Sequence, residues 1–424
     1  MTERARNKSI DESVEKLDVQ CVDFLSALVA TPSITGQEKD AQSRVEQRLR
    51  EMGLEVDSWC PTRNELQRHP AFSDDGLPIG DRPVIVARWR GTDPNARALI
   101  LNGHIDVVPE GDARSWTDGP WSGAIRDGRL WGRGSCDMKG GLVAAFTAVA
   151  ALQNLNIRPR GDVLIESVIG EETGGAGTLA TLIRGYRAEA AIILEPTRMS
   201  VCPIGAGALT FRIQVQGRSA HGAVRLEGVS AVEKFHKLMT AIEAFEERRH
   251  NRFHHPLFAR GELVAPISIG RVQAGDWPST VPETLIAEGR YGIFPGENSA
   301  ESRQQFEHAI AQAANDDDWL CRNPPRVEWF EGQFEPGLTP SDAAIIGELA
   351  AAHSDVCGRQ AQTHGVPYGS DLRLFTNNGG MHAVLYGPGD VRVAHSLNEY
   401  VPLDEVRGVA KVVARVIANW CGAQ

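Results

Sequence analysis

Short strand-like runs that alternate with helical segments constrain the fold of this 424-residue chain more than any other feature. The apolar runs are "PVIVARWRG", "ARALILNGH", "GDVLIESVIGEE" and "AEAAIILEP". Between the second and third lies "MKGGLVAAFTAVAALQNL", which has the length and the small residues of a helix packed on a sheet and starts at about Met138. Strands that alternate with helices favour an α/β fold. We therefore expect a mixed, largely parallel sheet flanked by helices.

The pattern changes near residue 203, where "ALTFRIQVQGRS" alternates apolar and polar residues as a half-exposed strand does. A helix, two strands and another helix follow, and this β-α-β-β-α order predicts an inserted α+β domain of the ferredoxin-like type. We expect the α/β domain in two parts, residues 1–202 and 318–424. The inserted domain is expected to span residues 203–317.

Composition excludes several kinds of partner. The net charge of -11 argues against nucleic acid. No run approaches the ~20 apolar residues that span a bilayer, and the polar N-terminus lacks the apolar region of a signal peptide. The seven cysteines form no Cys-x-x-Cys pair, which is typical of reduced thiols. We therefore expect a cytoplasmic protein that binds neither nucleic acid nor membrane.

Polar residues stand where the apolar runs end, which is where open α/β sheets place their sites. The run at Ala98–Leu101 leads into His104, and Asp106 follows two residues later. An imidazole at this position is suited to binding a metal, and a carboxylate two residues on is suited to fixing its orientation. Four further segments have the same character and contribute Asp137 in "GRGSCDMKGG", Glu171 and Glu172 in "GEETGG", Glu195 in "LEPT" and His395 in "AHSLNEY".

These residue types suit two divalent metals, because histidine and carboxylate ligands bind zinc and one bridging carboxylate holds a pair ~3.5–4 Å apart. A count of ligands uses Asp137 as the bridge and gives each metal one histidine and one glutamate. The two sets are His104 with Glu195, and His395 with Glu172. Glu171 then has no ligand role. A free carboxylate beside a metal pair can take a proton from the bridging water and pass it to a leaving nitrogen, so an amide hydrolase is indicated.

Seven segments, in this order, resemble the zinc deacylase family of acetylornithine deacetylase, succinyl-diaminopimelate desuccinylase, aminoacylase and carboxypeptidase G. They are "NGHIDVVP", "WSGAIRDGRLWGRGSCDMKGG", "GEETGGAGT", "LEPT", "GRSAHGA", "YGSDLRLF" and "YGPGDVRVAHSLNEYV", from about residue 97 to 402. The resemblance implies the same metal ligands, with Asp137 as the bridge. It also implies Asp106 as the carboxylate that orients His104 and Glu171 as the general base.

For the inserted domain, the resemblance implies a lid that also pairs two subunits into a homodimer. His221, in "GRSAHGA", would reach the active site of the other subunit and stabilise the oxyanion. Arg290, in "EGRYGIFPGE", would grip a carboxylate of the substrate. One position departs from the family pattern, since "DWPSTVPE" has Ser279 where asparagine is common. In "YGSDLRLF", Asp371 and Arg373 are either an internal ion pair or a substrate contact.

The sequence therefore predicts a homodimeric hydrolase with two Zn²⁺ per subunit, for which Co²⁺ or Mn²⁺ can substitute. It would remove an acyl group from the nitrogen of an N-acyl amino acid or a similar small amine. A deformylase of a small N-formyl aromatic amine is an alternative, because "WLCRNPPRVEW" and "YGPG" are similar to that branch of the family. Further alternatives are a dipeptidase or carboxypeptidase and, in another class, a non-catalytic metal-binding protein on the same fold.

Overall fold

The computed structural model describes residues 2–423. The strands of this range are β1 (Glu55–Trp59), β2 (Val84–Trp89), β3 (Leu99–His104), β4 (Ala124–Arg126), β5 (Arg129–Trp131), β6 (Val163–Val168), β7 (Ala190–Ile193), β8 (Ile204–Gly205), β9 (Gly207–Gln216), β10 (Ile267–Ala274), β11 (Thr284–Ile293), β12 (Arg326–Trp329), β13 (Gly337–Leu338), β14 (His382–Leu385) and β15 (Tyr400–Pro402). The α-helices are α1 (Glu3–Lys16), α2 (Asp18–Val29), α3 (Lys39–Glu51), α4 (Arg63–Leu66), α5 (Gly140–Asn154), α6 (Ala176–Ile183), α7 (Ala231–His250), α8 (Ser299–Asn315), α9 (Asp318–Arg322), α10 (Ala344–Cys357) and α11 (Leu403–Trp420).

These elements form two compact units. The first unit comprises the chain up to Ile204, the segment Leu338–His364 and the chain from Asp371 onward. The second unit comprises Gly205–Gly337 and Gly365–Ser370. The second unit thus ends twenty residues beyond the predicted limit of 317, because β12 pairs with β9 and belongs to the same sheet.

The first unit is built on a six-stranded sheet of order β1-β2-β6-β3-β7-β14. The four strands β6, β3, β7 and β14 are parallel, while β1 and β2 are antiparallel at one edge. This sheet confirms the predicted mixed, largely parallel α/β fold. All six residues of β3 are buried, as expected for a central strand that is covered on both faces.

Helix α5 packs against β3 and α11, and its small residues permit this close contact. A side chain at Gly141 would meet the backbone oxygen of Leu194, since a Cβ atom there would lie 2.2 Å from it. The helix begins at Gly140 rather than at about Met138, because Asp137 and Met138 have non-helical torsion angles. They belong to a separate turn, Ser135–Lys139.

The segment Ser135–Asn154 corrects one expectation about apolar runs. It is long enough and apolar enough to cross a membrane, with a mean hydropathy of 1.2, although no such run was predicted. Its alanine residues raise the mean without producing an obvious block of large apolar residues. The whole segment is buried inside the protein.

The polar start of the chain is helical from Glu3 onward. Helix α1 lies against α11, and ion pairs join Asp11 to Arg415 and Glu15 to Lys411. These ion pairs fix the position of the polar helix α1 against α11 in the first unit.

The second unit has the element order β9-α7-β10-β11-α8-α9-β12 and an antiparallel sheet of order β10-β11-β9-β12, which is a ferredoxin-like arrangement with the short extra helix α9. Helices α7 and α8 cover one face of this sheet, as the alternating burial along β9 requires. The core contains Phe211, Ile213, Tyr291 and Phe306. Strand β10 lies at the edge of the sheet, and most of its residues are exposed.

Candidate metal centre

Three parallel strands of the first unit carry candidate ligands at their carboxyl ends. His104 is the last residue of β3, and Glu195 follows the end of β7 by two residues. Glu171 and Glu172 lie in the turn that follows β6. Because β6, β3 and β7 are neighbours, their carboxyl ends bring these side chains to the same edge of the sheet.

Asp137 lies between the two candidate histidine ligands. Its Oδ1 atom is 3.1 Å from Nε2 of His104, and its Oδ2 atom is 3.3 Å from Nε2 of His395. The same Nε2 atom of His395 lies 3.1 Å from the carboxylate of Glu172. The turn Ser135–Lys139 therefore places one carboxylate with an oxygen toward each imidazole, as a bridging ligand requires.

Two sets of side chains offer ligand atoms that all lie within 4.8 Å of one another, and both sets include His104. One adds Glu171 and Glu195, and the other adds Asp137 and Glu172. The structure thus brings together the residues that the sequence selects as ligands and places Glu171 beside them.

The crowded carboxylates of the cluster favour the uptake of positive charge, either as protons or as bound cations. Burial raises the pKa of Glu195 well above its usual range, and the negative charge of Asp137 raises it further. Burial likewise raises the pKa of Glu171 well above its usual range. Burial opposes protonation of His395, but hydrogen bonds to Asp137 and Glu172 raise its pKa to about 11. Crowded buried carboxylates with two imidazoles are a donor set that divalent cations bind well, so the residues fit a metal pair.

Asp106 differs from the expectation that its carboxylate orients His104. The Nδ1 atom of His104 lies 2.9 Å from the backbone oxygen of Asp106, whereas the carboxylate Oδ1 is 3.8 Å away. The carboxylate instead accepts hydrogen bonds from the backbone N–H groups of Glu171 and Glu172, both at 3.2 Å, and from Thr35 Oγ1 at 3.1 Å. Backbone donors buried in a turn need acceptors, and Asp106 supplies them. It therefore holds the turn that carries both glutamates.

Arg133 and Glu399 are buried in the same region, and the sequence analysis missed both. Glu399 accepts hydrogen bonds from the backbone N–H groups of Cys136 at 3.0 Å and Asp137 at 3.2 Å. Its other oxygen accepts from Arg133 at 2.6 Å. The sequence could have indicated both residues, because each lies four residues from a candidate ligand within a segment that resembles the family.

Asp371 and Arg373 are both 1 % exposed and lie close to the turn that bears the glutamates. Asp371 accepts a hydrogen bond from Thr178 Oγ1 at 2.5 Å, and Arg373 donates to the backbone oxygen of Gly174 at 2.8 Å. Burial raises the pKa of Asp371 to about 6. Asp371 and Arg373 are thus held beside the loop that follows Glu172.

Three predicted residues lie in the second unit, and two of them are neighbours. The backbone N–H of Gly222 donates to the backbone oxygen of Ser279 at 2.7 Å, and His221 lies opposite Thr280 across the same bridge. His221 and Ser279 are both exposed. Arg290, on β11, is half-buried and donates to the backbone oxygen of Pro367 at 3.1 Å.

Comparison with known sequences gives relatives over most of the chain. An N-formyl-4-amino-5-aminomethyl-2-methylpyrimidine deformylase from Bacillus subtilis is 27% identical over 97% of this chain and 97% of its own length. An acetylornithine deacetylase from Myxococcus xanthus is 29% identical over 84% of this chain and 88% of its own length. Both relatives are named for hydrolysis that releases an acyl group.

Solved structures share the fold. Human carnosine dipeptidase 1 superposes with a TM-score of 0.76 over 98% of each chain, at 18% identity. A dinuclear metal-binding peptidase of the M20 family from Bacillus subtilis superposes with a TM-score of 0.61 over 95% of this chain and 98% of its own, at 15% identity. Residues 100–419 match the sequence pattern of peptidase family M20/M25/M40, so the resemblance seen in the sequence is confirmed. The chain belongs to this family and is a metal-dependent hydrolase that acts on C–N bonds.

Proposed function

We propose that the protein removes an acyl group from the nitrogen of a small N-acyl amine. The observation that carries this proposal is the convergence of His104, Asp137 and His395 with three buried or half-buried glutamates at one edge of the first unit's sheet. The proposal is also supported by the two relatives, which are named for removing a formyl and an acetyl group.

In this proposal the chain binds two Zn²⁺ ions, and Co²⁺ or Mn²⁺ can replace them because they accept the same donors. Asp137 would give one oxygen to each ion. Each ion would have one histidine and one glutamate of its own, in the sets His104 with Glu195 and His395 with Glu172. Two divalent cations in such a site polarise a carbonyl oxygen and lower the pKa of water.

Glu171 is the residue that moves the proton. Its carboxylate lies close to the ligand atoms of His104 and Glu195, and its backbone N–H is held by Asp106. From this position it accepts a proton from the attacking water and delivers it to the leaving nitrogen, so the amine departs as a neutral molecule. Asp371 and Arg373 act by holding the loop that follows Glu172.

Asp106→Asn is expected to lower kcat by about 10–100-fold, the size of effect usual for residues that hold ligands in place. An asparagine amide has only one oxygen, so the backbone N–H of Glu171 or Glu172 loses its acceptor. KM is expected to change little, because Asp106 contacts the turn rather than the substrate. Steady-state kinetics with Asp112→Asn as an exposed control tests this. An unchanged kcat would show that the turn does not need these two bonds.

The second unit is proposed to act as a lid and as the surface that joins a homodimer. Arg290 is suited to gripping a carboxylate of the substrate, because its guanidinium is half-buried and contacts a neutral backbone oxygen. Ser279 would lie near the acyl group. Strand β10 is an exposed sheet edge, and Val272 on it and Trp277 after it are 50% and 70% exposed. A second copy would cover this edge by pairing with it.

A homodimer in which His221 serves the partner's site predicts complementation between two inactive variants. His221→Ala and Glu171→Gln subunits should each be inactive alone, and their mixture should regain activity up to about a quarter of the wild-type value per subunit. The gain arises because one of the two sites in each mixed dimer has an intact Glu171 and an intact His221. Activity after subunit exchange, verified with two different affinity tags, is the measurement. Exchange without any regain would show that each site uses its own His221.

The deformylase alternative has its own support. The relative named as a formylpyrimidine deformylase matches 97% of this chain, and Ser279 departs from the asparagine that the family resemblance implies at this position. Serine lacks an amide donor, so a contact to a larger acyl group would be lost. A small formyl group on an aromatic methylamine is therefore the second candidate substrate.

A substrate panel with the zinc-loaded protein tests the proposed function and separates its alternatives. The panel contains acetyl and succinyl amino acids, formyl arylmethylamines and dipeptides. We expect release of the free amine from at least one acyl or formyl substrate. Cleavage of dipeptides alone would make the protein a peptidase, and two bound metals without any turnover would favour a non-catalytic metal-binding protein.

We also propose a cytoplasmic location. All seven cysteines are free, and thiols stay reduced in that compartment. Fractionation of the producing cells tests this, and recovery from an oxidising compartment would contradict it.

A further inference from the structure

An ion pair that the proposed reaction does not use joins two segments that carry candidate ligands. Arg133 is 3% and Glu399 0% exposed, and they are 2.6 Å apart. Asp137 lies four residues after Arg133, and His395 lies four residues before Glu399. The pair is therefore placed to control how these two side chains sit relative to each other.

The carboxylate end of the pair fixes the turn that bears Asp137. One oxygen of Glu399 accepts from the backbone N–H of Cys136 at 3.0 Å and of Asp137 at 3.2 Å. Glu399 itself is anchored, because its backbone oxygen accepts from Gly132 at 2.9 Å and strand β15, which follows it, pairs with β5. The backbone of Asp137 is thus linked through Glu399 to β15, the strand that follows His395 in the chain.

The guanidinium end of the pair fixes the segment that bears His395. Arg133 Nη1 donates to the backbone oxygen of Ser396 at 3.2 Å, and the guanidinium carbon lies 5.2 Å from the ring centre of Trp116. His395 needs such support, because its side chain is 50% exposed while that of His104 is 1% exposed. Packing holds His104, whereas contacts of the neighbouring backbone must hold His395.

We propose that Arg133 and Glu399 are positioning residues that set the second cation site, formed by His395, Glu172 and the bridging Asp137. This inference rests on the proposed function, since it concerns the geometry of the proposed metal pair. The site that contains His104 and Glu195 depends less on the pair, because His104 ends β3, Glu195 follows β7, and only the shared Asp137 links this site to the pair. A change in the pair should therefore affect one cation more than the other.

Glu399→Gln tests this by titration of the metal-free protein with Zn²⁺ in a calorimeter. A glutamine amide must turn its N–H groups either toward Arg133 or toward the backbone donors, so one set of contacts is lost. We expect one cation to bind as in the wild type and the affinity for the other to fall about 10–100-fold. With substrate, kcat should fall at low Zn²⁺ and recover at high Zn²⁺, while KM stays near the wild-type value.

Glu297→Gln is a matched control in the second unit. Glu297 accepts a hydrogen bond from the buried Arg249 at 2.7 Å and from the backbone N–H of Phe294 at 3.0 Å. Like Glu399, it accepts from an arginine and from a backbone N–H, but it is 28% exposed and uses one oxygen for both bonds, and no candidate ligand lies beside it. Its variant should bind both cations normally, so the effect of removing a carboxylate that pairs with a buried arginine can be recognised.

Arg133→Lys provides a second test of the inference if the Glu399→Gln variant does not fold. Lysine keeps the charge opposite Glu399 but cannot hold Glu399 and Ser396 in the same way, so the second cation should again bind more weakly. Two cations with wild-type affinities in the folded variant would overturn the inference and leave the proposed function intact. Equal weakening of both cations would also overturn it. A wild-type protein that binds fewer than two cations would instead overturn the proposed function.

Discussion

Glu171→Gln is expected to keep two cations per chain and to lower kcat by about 10²–10⁴-fold, the usual contribution of a general base. Glutamine has nearly the same shape but cannot accept a proton from water at neutral pH. The cations should stay, because the proposed ligands do not include Glu171. Elemental analysis and steady-state kinetics on the same preparation are the measurements.

The matched control is the adjacent variant Glu172→Gln. Glu172 lies 3.1 Å from His395, so this variant should lose most of one cation as well as activity. The two variants therefore distinguish the base from the ligand, although both carboxylates lie in one turn. Loss of a cation from Glu171→Gln with retention in Glu172→Gln would mean that the two roles are exchanged.

Asp137→Ala is expected to have the second large effect, the loss of both cations and of all measurable activity. One oxygen of Asp137 lies 3.1 Å from His104 and the other 3.3 Å from His395, so no other single side chain in the cluster contacts both histidines in this way. Removing the carboxylate also removes the acceptor that the two histidines share. Metal content after dialysis, with and without added Zn²⁺, is the measurement.

Asp112→Ala provides the control for Asp137→Ala, since it removes an exposed aspartate from the same unit. It should keep two cations and full activity. If Asp137→Ala still bound two cations tightly, the bridge would have to come from another carboxylate. A variant that binds one cation with partial activity would place Asp137 in a single site.

The sequence was sufficient to predict the type of sheet and the residues that gather at its edge. Buried parallel strands consist of nearly continuous apolar residues in the sequence. A polar side chain at the carboxyl end of such a strand therefore indicates a binding or catalytic site. His104 and Glu195 were found by this reasoning. The distant His395 and the role of each carboxylate depended more on the resemblance to a family.

The contacts of individual atoms could not be predicted from the sequence. Asp106 was expected to contact the His104 ring through its carboxylate, but which oxygen faces the ring depends on the local course of the backbone. Glu399 was missed because its partners are backbone N–H groups, which every residue possesses. Strand β12 was missed as part of the second unit because its pairing with β9 joins segments that are far apart in the chain.

The positions of the proposed ligands along the chain also determine when the centre could be completed during synthesis. His104, Glu172 and Glu195 are synthesised well before His395, which follows Glu195 by 200 residues. The nascent chain would therefore carry an incomplete, acid-rich cluster until the segment that bears His395 docks, and a full pair of cations could be taken up only after that step.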